Sequence, residues 1–226
     1  SGKLAGTIAK NINDYPSNSN FGDDKKNVYE EDIYVGYRYF ETFKKESVIY
    51  PFGFGLSYTN FKMELVNDAQ TETDITVKIR VKNTGLLTGK EVVQLYSEAP
   101  QGTLGKPRYE LKAFQKTREL LPNDYQNLTI TIPKSSLASY DDSGASGYKS
   151  AYVLEQGTYK IHFGSSVRHL QIATTFTLKK TLLVEQLQEA LAPTEAVKRI
   201  IPGQLLEDGN FEIIYEDVPQ RTVNLH

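Results

Sequence analysis

The sequence contains no cysteine. That excludes a disulfide framework and a thiolate metal site, and it is compatible with a reducing compartment. Histidine is scarce. His162, His169 and His226 show no His-x-His or His-x3-His spacing, so no histidine metal centre and no nucleophilic triad is expected. No apolar run approaches the ~20 residues of a membrane-spanning helix. The net charge of −2 offers no electrostatic pull toward nucleic acid or an anionic membrane. Internal repeats and low-complexity tracts are missing, and helical periodicity is sparse. The first residues, Ser1-Gly2-Lys3-Leu4-Ala5-Gly6, lack a signal-peptide pattern. Together with the missing cysteine this favours the cytoplasm, while leaving open a targeting segment upstream.

What is present is a globular composition, 39% hydrophobic and 24% charged over 226 residues, long enough to bury a core. Short runs alternate with a period of two. Phe61, Met63 and Leu65 interleave with Lys62 and Glu64. Ile75, Val77, Ile79 and Val81 interleave with polar residues up to the Asn83-Thr84-Gly85 turn. Further runs are Glu91–Tyr96, Glu110–Gln115, Leu128–Ile132, Ala151–Leu154, Tyr159–Phe163 and Ala173–Leu178. About seven such strands with turn signals between them predict an antiparallel β-sandwich at 58–182. Before it, residues 1–46 are loop-rich, with an extended run at Asp32–Phe40. After it, Leu183, Leu187 and Leu191 recur every four residues, predicting a short helix over Val184–Leu191 that Ala192-Pro193 ends. One further strand is expected at Phe211–Tyr215.

The densest signal is Tyr50-Pro51-Phe52-Gly53-Phe54-Gly55-Leu56-Ser57-Tyr58-Thr59-Asn60-Phe61. Proline fixes its own φ, glycine permits positive φ or close backbone approach, and each aromatic ring needs burial. This is expected to be a shaped corner in which Gly53 or Gly55 has φ > 0 or touches another backbone.

The stretch resembles the junction motif of family 3 glycoside hydrolases, the β-glucosidase family. Ser1-Gly2-Lys3-Leu4, Val28–Phe40, Val81–Gly85, Gly89–Tyr96, Glu110–Phe114, Leu137–Asp141 and Glu155–Ser166 are similar to further segments of the same family, in the same order. The resemblance implies a mainly β chain: a fibronectin III/immunoglobulin-like antiparallel sandwich with a loop-rich N-terminal extension and a C-terminal helix and linker. It divides the chain into 1–57 (tail of an α/β sandwich domain and the aromatic junction), 58–182 (fibronectin type III-like domain) and 183–226 (helix and linker). Arg221-Thr222-Val223-Asn224-Leu225 would lead into a barrel in a subgroup of permuted domain order.

A retaining glycosidase needs two carboxyl groups about 5–5.5 Å apart. The resemblance places the nucleophilic aspartate in a barrel and the acid/base glutamate upstream of Ser1, both outside these residues. It implies a structural segment with no catalytic residue, no metal and no cofactor. The parent would remove terminal non-reducing β-D-glucosyl units, with the barrel and α/β sandwich as this segment's partners. A free-standing sandwich that binds glycan or protein is the alternative.

Within the segment, Tyr50, Pro51, Phe52, Gly53 and Gly55 are the structural junction. Phe21, Tyr29 and Tyr34 are candidate stacking faces at a sugar pocket, with interdomain packing the favoured role. Arg38, amid aromatics in an extended run, is read as a structural arginine over a ring or beside a carboxylate rather than a ligand for substrate hydroxyls. The acidic neighbours Asp23-Asp24, Glu30-Glu31-Asp32 and Asp141-Asp142 are expected to be solvated surface. His162 falls on the polar face of its strand. Gly85–Glu91 is read as a turn rather than a phosphate loop, because its spacing is one residue short. The Asn127-Leu128-Thr129 sequon carries no weight.

Overall fold

A computed structural model describes residues 2–22 and 24–222. Ser1, Asp23 and Val223 to His226 therefore lie outside the described residues, and with them parts of the expectations above. The leader opens with a two-residue strand, β1 (Ile8–Ala9), paired antiparallel with β2 (Val48–Tyr50). Between them stands α1 (Tyr37–Phe43). The run read as extended is thus a turn followed by a helix. Gly36, at φ 57°, starts that helix, and Tyr39, Phe40 and Phe43 then bury one helical face.

The sandwich strands are β3 (Phe61–Gln70), β4 (Asp74–Asn83), β5 (Val92–Glu98), β6 (Glu110–Lys116) and β7 (Tyr125–Pro133). Then come β8 (Ser139–Asp141), β9 (Ala151–Leu154), β10 (Gly157–Gly164) and β11 (Leu170–Leu178). One sheet runs β3-β4-β7 and the other β11-β10-β5-β6. This is the mainly β, antiparallel architecture expected of a fibronectin type III-like domain. Alternation makes the core: Ile75, Val77, Ile79 and Val81 on β4 pack with Val93 and Leu95 on β5 and with Tyr159, Ile161 and Phe163 on β10. On β3 the alternation breaks at Val66, where the register shifts between Leu65 and Asn67. Ala151–Leu154, expected as a sandwich strand, instead lies in a separate three-stranded sheet, between β8 and a strand at Leu182–Gln186.

The predicted helix at 184–191 is replaced by β12 (Leu182–Gln186). Its residues pair with β9 through a register shift between Leu183 and Glu185. Leu187 and Leu191 stay exposed, so the four-residue leucine spacing has no apolar surface to bury against.

The C-terminal part is also more ordered than a linker. A hairpin of β13 (Lys198–Leu205) and β14 (Phe211–Asp217) folds back onto the leader. Ile200 donates its backbone N–H to the Glu30 carbonyl at 2.8 Å. Ile200, with Phe211 and Ile213 packed alongside, joins Ala9, Tyr34, Tyr39, Phe40, Phe43 and Val48 in a second core.

Candidate functional site

The aromatic junction seats the leader on the outer face of the four-stranded sheet. A turn closed by Phe54 N–H to Pro51 C=O (3.0 Å) sets its shape. Gly53 N–H donates to the Leu4 carbonyl at 2.9 Å, Leu4 N–H to Phe54 at 2.8 Å, and Val167 N–H to Phe52 at 3.2 Å. Gly53 has φ +81°, and a Cβ there would sit 2.8 Å from the Gln94 amide and 2.9 Å from the Ser166 Cα. A Cβ on Gly55 would strike the Gly2 carbonyl oxygen. Both glycines therefore meet the expectation made for the corner. Beneath them, the Tyr96 hydroxyl donates to Gln94 Oε1 (2.5 Å) and Gln94 Nε2 donates to the Ser165 carbonyl (3.0 Å). The Tyr37 ring packs 4.7 Å from Phe52 and 6.0 Å from Tyr96.

Three regions far apart in sequence meet at Arg199 on β13. Its guanidinium donates to both oxygens of Asp142 (2.6 and 3.0 Å) and to Glu216 (2.7 Å), and lies 3.5 Å from Asp32. Asp32 comes from the leader, Asp142 from the turn after β8, and Glu216 from β14. Burial works against the Arg199 charge, but Asp142 and Glu216 hold it protonated beyond the ordinary arginine range. Burial raises the Asp32 carboxyl; Arg199 opposes this and Asp142 adds to it. One guanidinium nitrogen thus reaches both Asp32 and Asp142, standing between the two carboxylates.

Clefts open on both sides of Arg199. One, of about 450 Å³, has Tyr29, Tyr152 and Leu191 in its wall. The other, of about 440 Å³, has Tyr34, Arg38, Glu110 and Tyr140 in its wall. Tyr140 and Tyr152 form a ring pair with centroids 5.3 Å apart and are reached by both clefts.

A model of the fibronectin type III-like domain matches residues 91–167. The β-glucosidase of Ruminococcus albus is 45% identical over 99% of this chain, which spans 23% of that enzyme. Beta-glucosidase A of Butyrivibrio fibrisolvens is 43% identical over 97% of the chain, which spans 28% of it. Among solved structures, a β-glucosidase from Paenibacillus barengoltzii superposes with a TM-score of 0.96 at 50% identity, covering 99% of this chain and 25% of that one. Beta-glucosidase 3B of Thermotoga neapolitana gives 0.73 at 41% identity over 82% of this chain. The chain belongs to the family 3 β-glucosidases, as a segment of them. It spans about a quarter of the length of these relatives.

The candidate residues separate in this family 3 segment. Tyr34 and Arg38 share one cleft and Tyr29 lines the other, while Phe21 lies apart, 84% exposed. Tyr29 is also open, at 73%, but Tyr34 is only 2% exposed and offers no ring face. Arg38 sits on α1, not a strand, and pairs with Glu110 at 3.4 Å. Several expected surface groups turn inward. Asp141 is buried and accepts from Ser143 N–H, the Ser143 hydroxyl, and the N–H groups of Gly144 and Ser146. Burial acts to raise its pKa, but those donors win and hold it below the ordinary value. Glu31 is buried, and Asp32 and Asp142 are engaged by Arg199; Asp24 stays exposed. His162 is buried too, 2.8 Å from Glu98 and edge-on to Tyr109, because residues around 109 cover that face of β10. Arg199 itself escaped the sequence reading: nothing beside it in Lys198-Arg199-Ile200 signals partners far along the chain. Among the described residues no group of three His, Cys, Asp or Glu is placed to hold a metal ion.

Proposed function

We propose that the chain is a non-catalytic structural segment of a retaining family 3 glycosidase. Its parent hydrolyses terminal non-reducing β-D-glucosyl residues through a covalent glycosyl-enzyme, using a nucleophilic aspartate and an acid/base glutamate that lie outside these residues, and no cofactor. The observation that carries this reading is coverage: relatives match almost the whole chain, yet the chain spans only about a quarter of them. Glucose specificity is supported by Thermotoga neapolitana β-glucosidase 3B, solved in complex with glucose.

In this reading residues 1–57 end an α/β sandwich domain, 58–182 are the fibronectin type III-like domain, and 183–226 connect to a barrel. The fall in coverage from 99% to 82% between two solved relatives is what a C-terminal connection peculiar to a subgroup would produce. Phe21 and Tyr29, the most exposed aromatics of the leader apart from Tyr58 in the junction, pack against the absent catalytic domains or rim their sugar pocket.

Asp32 and Asp142 are the acidic pair in the chain that most resembles a catalytic one, since they flank a cleft and differ in environment. One Arg199 nitrogen pairs with both of them, so both carboxylates are engaged in ion pairs. The purified 226-residue chain is therefore expected to give no turnover of an aryl β-glucoside. Turnover that disappears in Asp32→Asn would sink the reading.

A further inference from the structure

The joint at Arg199 carries more negative charge than one guanidinium balances. Asp142 takes two of its bonds, at 2.6 and 3.0 Å, and Glu216 a third at 2.7 Å. Asp32 has a single 3.5 Å approach, to a nitrogen that already serves Asp142. Asp32 is therefore the surplus carboxylate: it shares one cation with two closer acids and is repelled by both. Its backbone is pinned in place. Asp32 N–H donates to the Tyr29 carbonyl at 3.2 Å and Tyr34 N–H to the Glu31 carbonyl at 2.7 Å, and this turn holds Asp32 at φ 47°. The side chain keeps 40% of its surface in water, so solvent protons reach it.

The other charges facing Asp32 are balanced among themselves. In the cleft with Tyr34, Arg38 of α1 pairs with Glu110 of β6, which Lys112 also holds at 3.1 Å. In the opposite cleft Glu189 pairs with Lys149 at 2.7 Å. The phenols of Tyr29, Tyr34, Tyr140 and Tyr152 complete the titratable lining. Burial raises the Asp32 carboxyl above the ordinary 3.8; Arg199 opposes this, and Asp142 and Glu216 add to it. A backbone bond reports on the joint. Ile200, next to Arg199, donates its N–H to Glu30, two residues before Asp32.

We propose that this joint is a pH-sensitive latch, in which proton uptake by Asp32 tightens the grip of the C-terminal hairpin on the leader and proton loss toward neutrality loosens it. Protonated Asp32 no longer repels Asp142 and leaves Arg199 to Asp142 and Glu216. A carboxyl whose folded value is raised contributes stability that is complete below its unfolded value, near 3.8, and is lost as pH rises through the folded value. Glu98 acts in the opposite sense, with its carboxyl held down by His162 and Lys160. It stands on β5, in the sandwich, so the two effects separate by position.

The test is amide hydrogen exchange read by NMR on the 226-residue chain from about pH 3.5 to 7, corrected for the intrinsic rate at each pH. Protection of Ile200 is expected to fall as pH rises, tenfold for every pH unit between the unfolded and folded values of Asp32. Protection of Ile79, on the central strand β4, should not fall with it. Asp32→Asn keeps the side-chain shape and tolerates the left-handed backbone. That variant should lose the Ile200 dependence, and its Tm relative to the unaltered chain should climb between pH 3.5 and 7. Asp142→Asn removes an engaged partner and should lower Ile200 protection at pH 7, where Asp32→Asn raises it. Ile200 protection independent of pH in the unaltered chain, a fall that persists in Asp32→Asn, or weaker Ile200 protection in Asp32→Asn at pH 7 overturns the proposal.

Discussion

Replacing Gly53 by alanine tests the corner on which the leader is seated. At φ +81° a side chain costs about 1–2 kcal/mol for entering the left-handed region. The new methyl would also lie 2.8 Å from the Gln94 amide and 2.9 Å from the Ser166 Cα, closer than real Cβ contacts allow. Gln94 is held by Tyr96 and Ser165, so it cannot step aside without breaking a buried bond. Overpacking of this kind adds about 1–3 kcal/mol. The total is a destabilisation of about 2–5 kcal/mol, which at ~2–4 °C per kcal/mol is readable in a thermal melt and a urea titration. Gly209→Ala is the internal control. Gly209 has φ +82° and nothing within 4 Å of its would-be Cβ, so it should lose only the conformational share, about 1–2 kcal/mol. Equal losses at the two positions would refute the packing argument. Losses below about 0.5 kcal/mol at both would refute the backbone argument as well.

Arg199→Met leaves Asp142 and Glu216 without their shared cation. The expected cost is about 1–3 kcal/mol, between the exposed and fully buried cases, with faster hydrogen exchange at Ile200; unchanged exchange there would show that the apolar contacts alone hold the hairpin. Glu98 supplies a pH signature. The hydrogen bond from His162 outweighs burial and, with Lys160, holds its carboxyl at about 2 against an ordinary 4.5. A depressed carboxylate contributes stability above the unfolded value and loses it as pH falls from 4.5 toward about 2. Glu98→Gln should flatten that acid limb in urea midpoints measured at several pH values, and an equally steep limb in the variant would contradict the assignment.

The sandwich was legible because alternation at Ile75, Val77, Ile79 and Val81, and again at Tyr159, Ile161 and Phe163, reports directly which face is buried. The corner was legible because glycine and proline constrain backbone angles locally. The errors lie where local pattern and tertiary environment disagree. Tyr34–Phe40 has strand-like aromatics, yet Gly36 opens a helix whose face is completed by Ile200, 160 residues beyond Phe40. Leu183, Leu187 and Leu191 have helical spacing, yet β9 presents a strand edge that captures the first of them. The clefts around Arg199 were only half legible. Tyr29, Tyr34 and Arg38 stand out by composition, whereas Arg199, Asp142 and Glu216 become a site only when the two ends of the chain meet.

That meeting constrains how the polypeptide comes off the ribosome. Tyr34, Phe40 and Phe43 are synthesised more than 150 residues before Ile200 and Phe211, which cover them. At synthesis rates of ~5–20 residues per second the gap is roughly ten to thirty seconds. During that interval the aromatic face of residues 34–43 is without the C-terminal hairpin that completes its core.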